Sequence, residues 1–214
     1  MNFVVISQSV RVCEERRSRV DLVDQRLTNF IQFCGYLPVP APNNLCSQID
    51  DPNLRQIRLE AWLEKISPLG IILSGGANIG CYPDRDLTEN MLLDYAERKK
   101  MPVLGICRGM QVMASRANGR LHEISGHVKS RHSLKGKITR EVNSFHNFSV
   151  KAIPQNFEVL ARSMDGEIEA IKHQDLPMEG WMWHPEREER YVLQDVKRLK
   201  KIFSTDKKTF HKGK

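Results

Sequence analysis

No apolar run in this 214-residue chain approaches the ~20 residues that a membrane-spanning helix needs, and the N-terminal Phe3-Val4-Val5-Ile6 stretch is too short for a signal peptide. A cytoplasmic chain without membrane contact is expected. Cysteine is scarce and badly spaced for stapling: the five, at 13, 34, 46, 81 and 107, make an odd set with no CxxC pair, which excludes a disulfide framework and a zinc ribbon. Aromatic residues make up only 7%, and none interleave with basic residues in the manner of a nucleic-acid module. Internal repeats and low-complexity tracts are missing, which excludes solenoids and disordered linkers. An excess of one charge is missing from most of the chain as well. The net charge is +7, but residues 195–214 hold eight Lys/Arg against Asp195 and Asp206, and the other 194 residues are nearly neutral. The basic character belongs to a tail expected to be solvated and frayed, so no nucleic-acid partner is expected.

What remains is a chain that is 40% hydrophobic, with its apolar residues in two recurring patterns. Phe3–Ile6 reads as a buried strand. Val23, Leu27, Phe30, Ile31 and Cys34 then fall on one helix face closed by Gly35. Leu37–Pro40 is a short extended piece inside a Pro/Asn-rich loop over 38–44. Leu59, Trp62, Leu63 and Ile66 mark a second helix that ends before Pro68. Leu69–Leu73 is the next buried strand, Met91, Leu92 and Tyr95 stripe a third helix, and Val103–Ile106 is a third strand. Met110, Met113, Ala114 and Ala117 follow on a helix that stops at Asn118-Gly119.

This alternation predicts an α/β fold: a mostly parallel central sheet with helices on both faces. From 120 to 184 short strands replace it, including Glu158–Ala161 and Ile168–Ile171, before a last helix carrying Val192, Val196, Leu199 and Phe203. One domain over 1–203 is expected, with 204–214 as the basic tail.

Chemistry concentrates at three places. The strand Val103–Ile106 runs into Gly105-Ile106-Cys107-Arg108-Gly109 and a helix begins at once, the form of a nucleophile elbow that presents Cys107 above a sheet. A helix start lowers a thiol pKa, and the Arg108 NH is aimed where an oxyanion would develop. Trp183-His184-Pro185-Glu186 supplies a base: in extended chain, residues i and i+2 share a side, so Glu186 can orient the His184 ring. Leu73-Ser74-Gly75-Gly76 ends another strand, and Gly76 NH is a candidate second oxyanion donor. His122, His127 and His132 match no familiar ligand spacing, so no metal is expected. Trp181 and Trp183 are read as packing residues, and Arg85, Lys129 and Arg131 as surface charges near loops.

In this order, Ile72-Leu-Ser-Gly-Gly76, Gly105-Ile-Cys-Arg-Gly-Met-Gln111, Asn143-Ser-Phe-His146 and Trp183-His-Pro-Glu186 resemble the class I glutamine amidotransferase superfamily, over about residues 3–203. Within it the chain is most similar to the stand-alone γ-glutamyl hydrolase branch. The resemblance implies a flavodoxin-like fold, with Cys107 as nucleophile, His184 as general base and acid, and Glu186 as its orienting carboxylate. It implies an oxyanion hole at Gly76 and Arg108, and substrate contacts at Gly75, Gln111, Asn143, Ser144, Phe145 and His146 around a glutamyl head group. No cofactor is implied. Ile6-Ser-Gln, Leu37–Pro40 and Val142-Asn-Ser-Phe-His-Asn147 are similar to members of that branch whose leaving nitrogen is attached to cytidine diphosphate, in phosphoramidate modification of surface polysaccharide. Gly75-Gly76-Ala77-Asn78 and Phe145-His146-Asn147-Phe148 depart from the commoner family patterns. Two alternatives stand beside this: a glutaminase subunit donating ammonia to a separate synthetase partner, and an inactive binding protein on the same scaffold.

Overall fold

The apolar runs Val4–Ile6, Ile71–Leu73 and Val103–Ile106 become buried strands of the central sheet. The computed structural model describes residues 1–15 and 17–204; the tail positions from 205 onward lie outside the described residues. In chain order the first half contains β1 (Asn2–Ser7), β2 (Ser9–Cys13), β3 (Ser18–Leu22), α1 (Gln25–Phe33), β4 (Tyr36–Ala41), α2 (Pro52–Ile66), β5 (Gly70–Leu73), α3 (Pro83–Lys99), β6 (Val103–Ile106) and α4 (Arg108–Arg116). The second half contains β7 (Leu121–Glu123), β8 (Val128–Gly136), β9 (Glu141–Phe145), β10 (Phe148–Val150), β11 (Phe157–Ser163), β12 (Ile168–His173), β13 (Met178–Trp181) and α5 (Leu193–Phe203).

Nine strands form one sheet in the order β4-β1-β5-β6-β13-β12-β11-β8-β9. The first five are mutually parallel, and from β13 onward every pairing is antiparallel. Alternation along the parallel strands divides their side chains between two cores. Val5, Ile71, Leu73 and Val103 face α2, α3 and α4, whereas Val4, Ile6, Ile72, Leu104 and Ile106 face α1 and α5. The parallel half with helices on both faces is what the alternating patterns predict, and the short strands expected after residue 120 join it as an antiparallel half of the same sheet.

Local chemistry sets the helix limits. Asp24 caps α1 by accepting from the Arg26 NH at 3.0 Å, and Asp51 caps α2 by accepting from the Asn53 NH at 2.8 Å. Acidic Asp84 and Asp86 in the first turn of α3, with Arg98 and Lys99 in its last, match the helix dipole. Val23 and Cys34 flank α1 rather than lie within it. The expected loop over 38–44 begins later, because residues 38–41 pair in parallel with β1 as the edge strand β4. Pro38 and Pro40 are tolerated there because an edge strand leaves one side's NH groups unused.

Candidate active site

Strands β5, β6 and β13 are neighbours and parallel, so their C-terminal ends lie side by side, where open α/β sheets place their ligands. All three motifs read from the sequence leave from those ends. Cys107 follows β6 directly and adopts φ 51°, ψ −107°, a conformation that β-carbon sterics disfavour. Its NH donates to the Trp181 carbonyl at the end of β13 at 2.7 Å, and α4 begins at the next residue. The Arg108 NH is thus one of the first-turn donors that an α-helix leaves without an internal partner. Gly109 permits the turn: a β-carbon there would lie 2.7 Å from the Leu73 β-carbon and collide with that residue's carbonyl.

His184 is 2% exposed and its backbone is held from both sides by one side chain. Asn143, in β9, accepts from the His184 NH at 2.9 Å and donates to its carbonyl at 2.8 Å. The ring Nδ1 lies 2.6 Å from Glu186 Oε1, and the Phe145 ring meets it edge-on at 5.7 Å. The carboxylate arrives by a different backbone from the extended one expected, because Pro185–Arg187 form a single 3-10 turn. Burial by itself pulls the His184 pKa down; the negative charges of Glu186 and Cys107 outweigh it and raise the value to about 9. The loop after β5 closes over the pair, since a β-carbon on Gly75 would fall 2.7 Å from His184 Cε1 and 3.7 Å from Cys107 Cβ. Gly76 has φ 139°, open to glycine alone, and a β-carbon there would run into Arg85.

Arg85 is not a surface charge: it is fully buried beneath this loop. Its Nη2 donates to the Ser74 and Gly75 carbonyls at 2.8 and 2.9 Å, and its Nε pairs with Glu89 at 3.0 Å. Arg108 also pairs with Glu89 and with Asp86, so α3 holds the turn at Cys107 and the Ser74–Gly76 loop through one ion cluster. Sequence reasoning took Arg85 for a surface charge and missed Asp86 and Glu89. An i,i+4 Arg/Glu pair on a helix as charged as α3 reads as a solvated face, and only the Gly-Gly approach betrays its burial.

The residues assigned to the glutamyl head group have protein partners for several polar atoms. Gln111 Nε2 donates to the Phe148 carbonyl at 3.0 Å, Ser144 Oγ donates to the His127 carbonyl at 2.7 Å, and His146 Nδ1 lies 3.0 Å from the Phe148 carbonyl. Asn143 is the positioner of His184 and also donates to Glu188 at 2.8 Å. Phe145 faces a cavity of about 650 Å³ shared with Asn143, Lys129, Arg131, Arg187 and Arg190. Arg187 stacks on the Phe145 ring at 4.6 Å, and Arg131 pairs with Glu141 and Glu188. Lys129 and Arg131 lie in β8 rather than a loop. Trp181 and Trp183 are buried and stack on each other at 5.3 Å, in keeping with packing roles.

The histidines set aside on spacing diverge. His122 pairs with Glu167, while His127, His132 and His146 converge on Glu169, which is wholly buried. Burial pushes the Glu169 carboxyl up, but the three imidazoles hold it well below its usual range. No sequence spacing announces this group, because its members come from four separate segments.

The Peptidase C26 family model matches residues 14–186. A γ-glutamyl-CDP-amidate hydrolase from Campylobacter jejuni is 34% identical over 140 residues, covering 63% of this chain and 69% of that protein. A glutamine-hydrolysing GMP synthase subunit from Methanocaldococcus jannaschii is 35% identical over 127 residues, covering 55% of this chain and 64% of its own length, just under two thirds. Among solved structures, a protein described as a GMP synthase subunit, from Thermoplasma acidophilum, superposes with a TM-score of 0.68 at 18% identity, covering 95% of this chain and 93% of that one. A glutamine amidotransferase from Thermotoga maritima gives 0.60 at 16% identity, with 94% and 84% covered. The match runs from before the first helix to the carboxylate beside His184, and by it the chain belongs to the Peptidase C26 family of class I glutamine amidotransferases.

Proposed function

We propose that this chain hydrolyses a γ-glutamyl amide whose leaving nitrogen is attached to a nucleoside diphosphate, with γ-glutamyl-CDP-amidate as the substrate that fits best. Cys107 attacks the γ-carbonyl carbon, and the NH groups of Gly76 and Arg108 stabilise the oxyanion of the tetrahedral intermediate. His184, protonated at neutral pH, stabilises the thiolate and passes its proton to the leaving nitrogen as the C–N bond breaks. The neutral imidazole then takes a proton from water, whose oxygen attacks the thioester to release glutamate and restore the thiol. Glu186 keeps the ring oriented throughout. Gly75 covers the pair, and the glutamyl head group lies toward Gln111 and the Asn143–His146 segment.

The observation that carries the leaving-group assignment is the groove beside Phe145. It adjoins His184, where the leaving nitrogen departs, and is lined by four cations against Glu188 and Glu189. Lys129 and Arg190 make no ion pair among the described residues, which leaves them for a diphosphate. Arg187 on the Phe145 ring offers a flat surface for a base. The similarity to the Campylobacter hydrolase supports the same reading.

Similarity to the GMP synthase subunits favours a second reading, a glutaminase serving a separate synthetase. Glutamate release from γ-glutamyl-CDP-amidate, glutamine and a simple γ-glutamyl amine, with Cys107→Ala as blank, separates them. Preference for the nucleotide conjugate by orders of magnitude is expected. Comparable slow release from all three would overturn the assignment in favour of the glutaminase.

A further inference from the structure

We infer that His127, His132 and Glu169, with His146 against the same carboxylate, form a site for a divalent transition metal, zinc by its donor set, behind the strand that positions the His184 backbone. The four residues come from the segment before β8, from β8, from the turn after β9, and from β12, and three of them are nearly or wholly buried. Three imidazole nitrogens surround one carboxylate oxygen: His127 Nδ1, His132 Nε2 and His146 Nε2 lie 3.4, 3.2 and 3.4 Å from Glu169 Oε1.

Hydrogen bonds on the far side of the rings fix what faces the carboxylate. His127 Nε2 lies 2.9 Å from Asp165 Oδ2, a carboxylate that can only accept, so that nitrogen carries a proton. His146 Nδ1 lies 3.0 Å from the Phe148 carbonyl and carries one for the same reason. In the neutral rings, His127 Nδ1 and His146 Nε2 then present lone pairs to the Glu169 anion. Lone pairs aimed at a buried carboxylate repel unless positive charge lies between them.

Either added protons or a metal ion can supply that charge, and the distances favour the ion. A charge-assisted N–H···O bond closes to about 2.7–2.9 Å, whereas these contacts are 3.2–3.4 Å. His127 Nδ1, His132 Nε2, His146 Nε2 and both Glu169 oxygens are buried without a hydrogen-bond partner. Zinc bonds of about 2.0–2.1 Å in a tetrahedron put ligand atoms roughly 3.4 Å apart, close to the distances of His127 Nδ1 and His132 Nε2 from Glu169 Oε1, and the donor atoms of these three residues all lie within 4.8 Å of one another. The outer hydrogen bonds fit equally, since metal-bound histidines ordinarily donate their second NH to a carboxylate or backbone carbonyl. Nitrogen-rich donors with one carboxylate suit zinc better than magnesium or calcium.

The test uses the full chain carrying Cys107→Ala and Cys81→Ser, which remove the candidate nucleophile and the exposed thiol as competing ligands. After chelator treatment it is titrated with Co²⁺ and then Zn²⁺. One equivalent of cobalt with the visible absorption of a tetrahedral site, displaced by one equivalent of zinc, is expected. At zinc a hundredfold above Kd, the thermal midpoint should rise by roughly 5–10 °C. His132→Ala should weaken binding at least 100-fold. Asp165→Asn should weaken it by about 10–100-fold through His127 alone, and the 59% exposure of the Asp165 side chain makes that variant safe for folding. Failure of the parent to take up an equivalent of either metal, or unchanged affinity in both variants, would overturn the site.

Discussion

Cys107 carries the sharpest conflict between local preference and position. A non-glycine residue at φ 51°, ψ −107° stores on the order of 1–3 kcal/mol of backbone strain, and the fold holds it there through α4 and the Trp181 carbonyl. Cys107→Ala removes the thiol but keeps the β-carbon, so it should abolish turnover without gaining stability. Cys107→Gly releases the strain, and urea denaturation should find it more stable than Cys107→Ala by about 1 kcal/mol, although glycine at an ordinary position costs stability. An equal or lower stability would mean that the elbow is unstrained.

His184 supplies a second residue-scale prediction, with its sign set by the raised pKa. Its pKa of about 9 exceeds the ordinary histidine value, so the protonated ring stabilises the fold in full below pH ~6.5. That contribution fades as pH rises through about 9. Activity requiring the imidazolium as acid should fall over the same upper range. Glu186→Gln removes one of the charges that raise the pKa, so the alkaline limb of kcat/KM should move to lower pH and kcat should drop. A pH profile superimposable on the parent would deny Glu186 its orienting and charge-stabilising role.

At the scale of elements, the legibility of this chain depends on which faces are buried. Strands β1, β5 and β6 are covered on both sides and read as unbroken apolar runs; helices α1, α2 and α4 show their stripes. Strand β8 escapes a sequence reading because only Leu134 along it is buried, and the hairpin of β2 and β3 buries little beyond Val10. The same logic governs the site. Cys107, His184 and Glu186 stand in motifs that are local in sequence, whereas Arg85, Glu89 and the His184-holding role of Asn143 depend on contacts between distant elements.

The Asn143 clamp yields an element-scale prediction, because β9 lies at the far edge of the sheet from the elbow's own strands and holds the His184 backbone through that one side chain, while Phe145 touches only the ring. Asn143→Ala leaves the His184 NH and carbonyl without their buried partner, at a cost of about 1–3 kcal/mol. Since the same change lets the ring drift, kcat should fall at least tenfold with KM changed far less. A variant that loses binding while retaining kcat would return Asn143 to the head-group role that the resemblance implies.

For the molecule as a whole, the reaction site lies where the parallel half of the sheet passes into the antiparallel half. The parallel half supplies the proposed nucleophile and oxyanion donors from β5, β6 and their turns, while β8 and β9 reach around from the other half with Lys129, Arg131, Asn143 and Phe145. On the proposed reading, the nucleophile and the leaving-group cations come from different parts of one sheet, and the second can change without the first. Charge in the groove tests this division. A unit charge about 8 Å from a diphosphate contributes on the order of 1–2 kcal/mol at an effective dielectric of about 20, less after salt screening. Lys129→Glu and Arg190→Glu reverse the sign, so each should lower kcat/KM for the nucleotide conjugate by about tenfold or more, and the loss should shrink as salt is raised. Glutamine carries no diphosphate, so its slow hydrolysis should change much less in both variants. Equal losses on both substrates would place these cations in general support of the site and remove the groove from the argument for a nucleotide-linked leaving group.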